Sequence, residues 1–201
     1  MILVVAATPQ EIAFLEPRPG VETLITGVGP VEAAARLARV LAHDRYDLVV
    51  NAGIAGVYAG KGEIGEGVIV ADERLALELE TGAPLALPAG LTVHDRTASD
   101  PTIVSELTAC GFRSVRGVTV TRVTATDESA VRLRESGAQV ESMEGFAVLR
   151  AAEIAGVRAI ELRGISNYAG ERSRSQWDFA AGTQGLARIV TALFSLERVA
   201  S

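Results

Sequence analysis

The chain has 201 residues, 48% hydrophobic and 22% charged, which suits one soluble globular domain with a full core. Its formal net charge of −6 comes with no basic run, which argues against a nucleic-acid backbone as partner. The single cysteine, Cys110, excludes an internal disulfide and a cysteine-based metal site, and points to a reducing compartment.

Ile2 to Ala7 is a short apolar run, read as a buried first strand rather than a signal segment. No apolar run reaches membrane-spanning length, so a cytoplasmic location is expected. Thr8-Pro9 opens a helical turn in which Glu11 falls where the helix dipole welcomes negative charge. Glu16 to Gly20 is a turn, and Val21 to Thr26 a second strand ending in Gly27-Val28-Gly29-Pro30. Val31 to Ala42 repeats its apolar residues at helical spacing. Asp47 to Val50 is a third strand that runs into the glycine-rich end Asn51-Ala52-Gly53-Ile54-Ala55-Gly56.

Gly60 to Gly67 is a loop before the strand Val68 to Ala71, and Leu75 to Leu91 reads as loop and edge strand. Asp100-Pro101 starts a helix that stops at Gly111. Ser114 to Thr124 is a β run and Asp127 to Ser136 a helix. Val140 to Met143 closes a strand, Glu144 turns into a helix ending at Gly156, and Val157 to Leu162 is a buried strand delivering Arg163, Ser166 and Asn167. A closing helix is predicted from about Gln184 to Arg198. Alternating strands and helices predict an α/β fold with a largely parallel sheet, one domain over 1–201. In such sheets ligands bind beyond the carboxyl ends of the strands, so the ends at Gly27, Gly53 and Gly164 are expected to gather at one rim.

Several chemistries are absent. Gly27-Val28-Gly29 lacks the third glycine of a dinucleotide fingerprint and has Glu32 in its place. There is no phosphate-binding G-x-x-x-x-G-K-[ST] and no G-x-S-x-G nucleophile turn. His43 and His94 stand alone, so neither metal nor cofactor is expected. What remains is Glu144, Arg163 and Asn167 beside Glu11. An arginine ending an apolar strand needs an anionic partner, and Glu144 supplies one; a structural ion pair and a catalytic one fit the residues equally.

At these residues the chain resembles the nucleoside phosphorylase/nucleosidase family. Val140-Glu141-Ser142-Met143-Glu144-Gly145 is similar to the V-E-M-E-A of bacterial methylthioadenosine/S-adenosylhomocysteine nucleosidases, and Arg163-Gly164-Ile165-Ser166-Asn167 to their R-A-I-S-D. Further matches follow in order: Ala7-Thr8-Pro9-Gln10-Glu11, Thr26-Gly27-Val28-Gly29 to S-G-I-G, and Asn51 to Gly56 to N-T-G-S-A-G. Ile64 to Glu73 matches V-G-D-I-V-V-S-D-E, which leaves only Leu75 to Leu91 poorly matched.

The resemblance implies a single-domain, three-layer α/β/α nucleoside phosphorylase-like fold with a mixed, largely parallel sheet, and a cofactor-free enzyme that forms homo-oligomers. Ile54 stands where the family has a serine lining the phosphate area, which favours water as acceptor. Asn167 replaces an aspartate that reads adenine, and its amide can donate to a 6-oxopurine. These departures make the chain most similar to the family's futalosine-cleaving nucleosidases, which release hypoxanthine in menaquinone biosynthesis.

The implied catalytic residues are Glu11 as general base, Glu144 at the ribose, Arg163 orienting water with Glu11, and Asn167 at the base. Met143, Ser166, Gly53 and Ile54 are expected to line the nucleoside, with Arg172 and Trp177 toward an anionic aromatic 5′ tail, Arg174 beside them, and the base-stacking position near Glu128 or Ser129. A methylthioadenosine-type nucleosidase, a purine nucleoside phosphorylase and a non-catalytic nucleoside-binding protein are the alternatives.

Overall fold

A computed structural model describes residues 1–76, 87–170 and 176–196. Arg172 and Arg174 therefore lie outside the described residues. In chain order the elements are β1 (Ile2–Ala6), β2 (Val21–Ile25), α1 (Pro30–Leu41), β3 (Leu48–Val57), β4 (Gly67–Leu75), β5 (Arg96–Ala98), α2 (Pro101–Ala109), β6 (Arg113–Thr119), α3 (Asp127–Glu135), β7 (Val140–Ser142), α4 (Gly145–Ala155), β8 (Arg158–Tyr168) and α5 (Phe179–Phe194). A short 3₁₀ turn, Pro9–Ile12, follows β1.

The strands form one mixed sheet in which five of the eight pairings are parallel. β8 lies between β3, to which it is parallel, and β4, to which it is antiparallel. β4 continues through β6 to β7, and β7 returns to the far end of β3 at Gly56–Glu141 and Val57–Val140. Five strands thus close a ring, with β1 and β2 extending from β3 and β5 edging β4.

Alternation along β1 sets the layers, because successive side chains point to opposite faces. Ile2 and Val4 join Ile103 and Leu107 of α2 and Leu186 and Ile189 of α5. Leu3 and Val5 pack with Ala33 and Leu37 of α1 and Val148 and Leu149 of α4. The three-layer expectation holds. Among the described residues no helix is long and apolar enough to cross a membrane.

Three sequence readings change. The glycine-rich segments at Gly53 and Gly164 are not strand ends but strand interiors, since β3 runs to Val57 and β8 to Tyr168. The Ser114–Thr124 run stops at Thr119, and residues 120–126 leave the sheet. The closing helix begins at Phe179, not near Gln184, with the Asp178 side chain capping the Ala181 N–H. Gly182 and Gly185 obscured that start, yet they serve packing: a Cβ on Gly164 would lie 1.8 Å from the Gly182 carbonyl oxygen. Helix α5 rests backbone-close on β8 through that gap.

Candidate active site

A cavity of about 150 Å³ opens where β1, β3, β7 and β8 converge, and Glu11, Glu144, Asn167, Ser166, Met143 and Ile54 line it. The Asp178 N–H donates to the Ser166 carbonyl at 2.8 Å, and this tie brings Trp177 and Phe179 over the cavity.

One end is acidic. Glu11 is buried at the third position of the 3₁₀ turn, and its carboxylate turns back to accept from the Thr8 N–H at 2.8 Å and the Thr8 hydroxyl at 3.1 Å. Its other oxygen accepts from the Ile54 N–H at 3.1 Å. Three donors from two elements fix one carboxylate. Glu144 caps α4, but its side chain leaves its own helix and accepts from the Gly29 N–H of α1 at 2.8 Å. Gly29 has φ +105°, a conformation that L side chains rarely adopt, so the Gly27–Gly29 turn is built to aim this N–H at Glu144. Burial pushes the Glu144 pKa up, and Arg163 and the Gly29 N–H only partly offset it.

Arg163 lies beneath this end rather than in it. It is 1% exposed and is not among the residues lining the cavity. Its direct ion pair is also not with Glu144: Nε donates to Glu161, two residues back on the same strand, at 2.8 Å. Burial works against its charge, but Glu161, Glu144 and Glu11, in that order, outweigh it and hold the guanidinium charged. Gly53 does not line the cavity either. A Cβ there would stand 2.2 Å from Arg163 Nη1 and 2.8 Å from Glu11 Oε1, so the glycine leaves the space that both groups border.

The other end is held together by neighbouring side chains. The Ser166 hydroxyl donates to Asn167 Oδ1 at 2.9 Å, with the Ala55 carbonyl a longer alternative at 3.3 Å. Asn167 Nδ2 makes one bond, to the Tyr168 carbonyl at 3.3 Å, and keeps a second N–H to offer. Glu141 stands behind: it accepts from the Tyr58 hydroxyl at 2.6 Å and the Thr124 N–H at 3.0 Å, and so pins the 120–126 segment. Burial, then Glu141, raise the Tyr58 pKa and keep the phenol neutral. That pinned segment supplies Val120 and Val123 as the apolar wall. Glu128 and Ser129, expected near the base-stacking position, do not line this cavity.

Sequence reasoning thus found Glu11, Glu144, Asn167, Ser166, Met143, Ile54 and Trp177, and the fold brings them together. It missed Val28, Phe179, Val120, Val123 and Glu141 at the cavity and Glu161 beneath it. Glu161 had a signal: a charged residue inside an apolar strand, at the i+2 spacing that shares a face with Arg163.

The sequence pattern of the phosphorylase superfamily matches residues 19–196. The futalosine hydrolase of Thermus thermophilus is 36% identical, the alignment covering 98% of this chain and 96% of that protein. The chain belongs to the phosphorylase superfamily. Two solved structures of the same fold agree. The native futalosine hydrolase of Helicobacter pylori superposes with a TM-score of 0.79 at 16% identity, covering 96% of each chain. The methylthioadenosine/S-adenosylhomocysteine nucleosidase of Neisseria meningitidis, in complex with methylthio-immucillin-A, gives 0.78 at 18%, covering 96% of this chain and 97% of that one. At these identities the superpositions speak for the fold, and the family supplies the frame in which its cavity residues are compared.

Proposed function

We infer that the chain is an N-glycosyl hydrolase that cleaves futalosine to hypoxanthine and dehypoxanthinyl futalosine, with water as acceptor. The observation that carries the reading is the Asn167 amide, whose oxygen is taken by Ser166 and whose nitrogen keeps an N–H for the cavity. An ionised aspartate there would set lone pairs against the carbonyl edge of a 6-oxopurine, whereas an amide donates to O6 or N7. Kinship to the Thermus thermophilus enzyme, over nearly the whole of both chains, supports the same substrate.

The chemistry follows from charge. Breaking the C1′–N9 bond sends its electron pair to the purine and leaves a cationic ribosyl centre. Asn167 donates to the departing base, a task of the oxyanion type. Glu144 takes the ribose hydroxyls and steadies the cation, while Met143 packs against the sugar face. Glu11 accepts the proton of the water whose oxygen bonds C1′. Arg163 acts from below, where its buried positive charge stands near both acids. Ile54 offers the acceptor site an apolar side chain, and its N–H is already given to Glu11, which leaves little to hold a phosphate dianion. The same reading places the enzyme in the cytoplasm, in menaquinone biosynthesis, as a homo-oligomer whose exposed Val28 and Val31 beside the cavity mouth suit a subunit contact.

The test is a panel of futalosine, inosine and methylthioadenosine with purified protein, with phosphate present and absent. Hypoxanthine release from futalosine at a rate independent of phosphate is expected. Phosphate dependence would make it a phosphorylase, and faster adenine release would make it a methylthioadenosine-type nucleosidase.

A further inference from the structure

Below the acidic end lie two carboxyl groups that do not line its cavity. Glu161 is fully buried, and Glu73 is 2% exposed. Each occupies space that a neighbouring residue gives up. A Cβ on Gly145, the first residue of α4, would stand 2.6–2.9 Å from the Glu161 carboxylate. A Cβ on Gly117 would stand 1.8 Å from Glu73 Oε2. Glu73 is anchored from the other side by the Thr119 hydroxyl at 2.7 Å, which itself accepts the Phe146 N–H at 2.7 Å.

Such an arrangement has no advantage for stability alone. Each buried ion gives up its hydration, and apolar residues of similar volume serve a core as well or better. Its geometry suits another purpose. Arg163 places Nη1 over Gly53, in the space that Glu11 also borders, and a guanidinium turns about its side-chain bonds unless Nε is held. Glu161 Oε1 holds Nε at 2.8 Å, from the same face of β8. Arg163 Nη2 has no hydrogen-bond partner among the described residues and Nη1 reaches only the Ile54 carbonyl, at 3.5 Å, so the short Nε contact is the main one that sets the plane of the group.

We propose that Glu161 is a positioning residue for glycosidic cleavage, fixing the Arg163 guanidinium beneath Glu11 and Glu144, and that Gly145 is the opening in α4 that admits it. The proposal rests on reading Glu11 and Glu144 as the hydrolytic end.

Glu161→Gln keeps the volume and removes the charge. With purine release as readout, kcat is expected to fall at least tenfold while KM stays within threefold and the melting temperature is measured in the same sample. A structural role alone would lower the melting temperature and leave kcat per folded enzyme unchanged. Gly145→Ala approaches the same carboxylate from the helix side without altering any charge, and the same kcat loss at constant KM is expected. A kcat within twofold of wild type in Glu161→Gln overturns the proposal, and where that variant does not fold, the same result in Gly145→Ala does so. Rates are taken on the purine nucleoside the wild type cleaves fastest, so a wrong substrate changes the nucleoside and not the ratio. A wild type that cleaves none overturns the hydrolase reading and this proposal with it.

Discussion

The two ends of the cavity are built by different means. At the acidic end, Glu11 and Glu144 are held by backbone N–H groups of Thr8, Ile54 and Gly29, with a buried guanidinium below. At the base end, Asn167 is held mainly by a neighbouring side chain, the Ser166 hydroxyl, and the wall behind it is two valines. Backbone donors are fixed by the fold and are removed by no single substitution except one to proline. Side-chain partners can be exchanged singly. The contrast assigns rate to the first end and choice of leaving group to the second, because chemistry common to all nucleosides needs the invariant geometry.

The largest expected effect breaks the acidic end. Glu11→Gln removes the proton acceptor at nearly constant shape, and kcat should fall by roughly 10²–10⁴-fold, with KM changed little. Steady-state hypoxanthine release measures both. Full activity in this variant would move the general base elsewhere. A smaller effect breaks the base end. Asn167→Asp should leave the acidic end intact and shift the ratio of kcat/KM between futalosine and adenine nucleosides toward adenine. An unsatisfied polar contact of about 1–3 kcal/mol corresponds to roughly 5–150-fold in that ratio. An unchanged ratio would detach base recognition from Asn167.

The acids and the amide were legible because each stands beside a sharp local signal: Thr8-Pro9 before Glu11, a helix start at Glu144, and a polar run after an apolar strand at Asn167. Arg163 was legible as a buried charge but given the wrong partner. A motif draws the eye to Glu144, whereas the pleat puts Glu161 on the same face as Arg163. Glycine was read as a turn signal throughout, which is right at Gly29 and wrong at Gly53, where the missing Cβ matters and not the backbone angle. The ring of strands was invisible because β7 and β3 join over only two residue pairs, far apart in sequence. The valine wall was hidden for a related reason: Val120 and Val123 continue a β pattern that the chain abandons when Glu141 captures Thr124.

The smallest expected effect sharpens the contrast from below, through the carboxyl pair that supports the acidic end. Burial first, and then Glu161, raise the Glu73 pKa well above the ordinary glutamate value, with Thr119 and Arg163 opposing. Glu161 is raised by burial and held down by Arg163, so the pair keeps its proton chiefly on Glu73. In the unfolded chain Glu73 ionises near pH 4.3. Below that value both states carry the proton and the full stability is present. Above it, folding must take up a proton, and stability falls by about 1.4 kcal/mol per pH unit until the folded group ionises too. Glu73→Gln carries no titrating proton, so its melting temperature should decline less with pH than that of the wild type above pH 4.3. For a chain of this size one proton corresponds to roughly 3–6 °C per pH unit. Parallel melting curves from pH 4.5 to 8 would mean that Glu73 is ionised in the folded protein. Arg163 would then stand near two ionised carboxylates below the acidic end, Glu161 in direct contact and Glu73 at longer range.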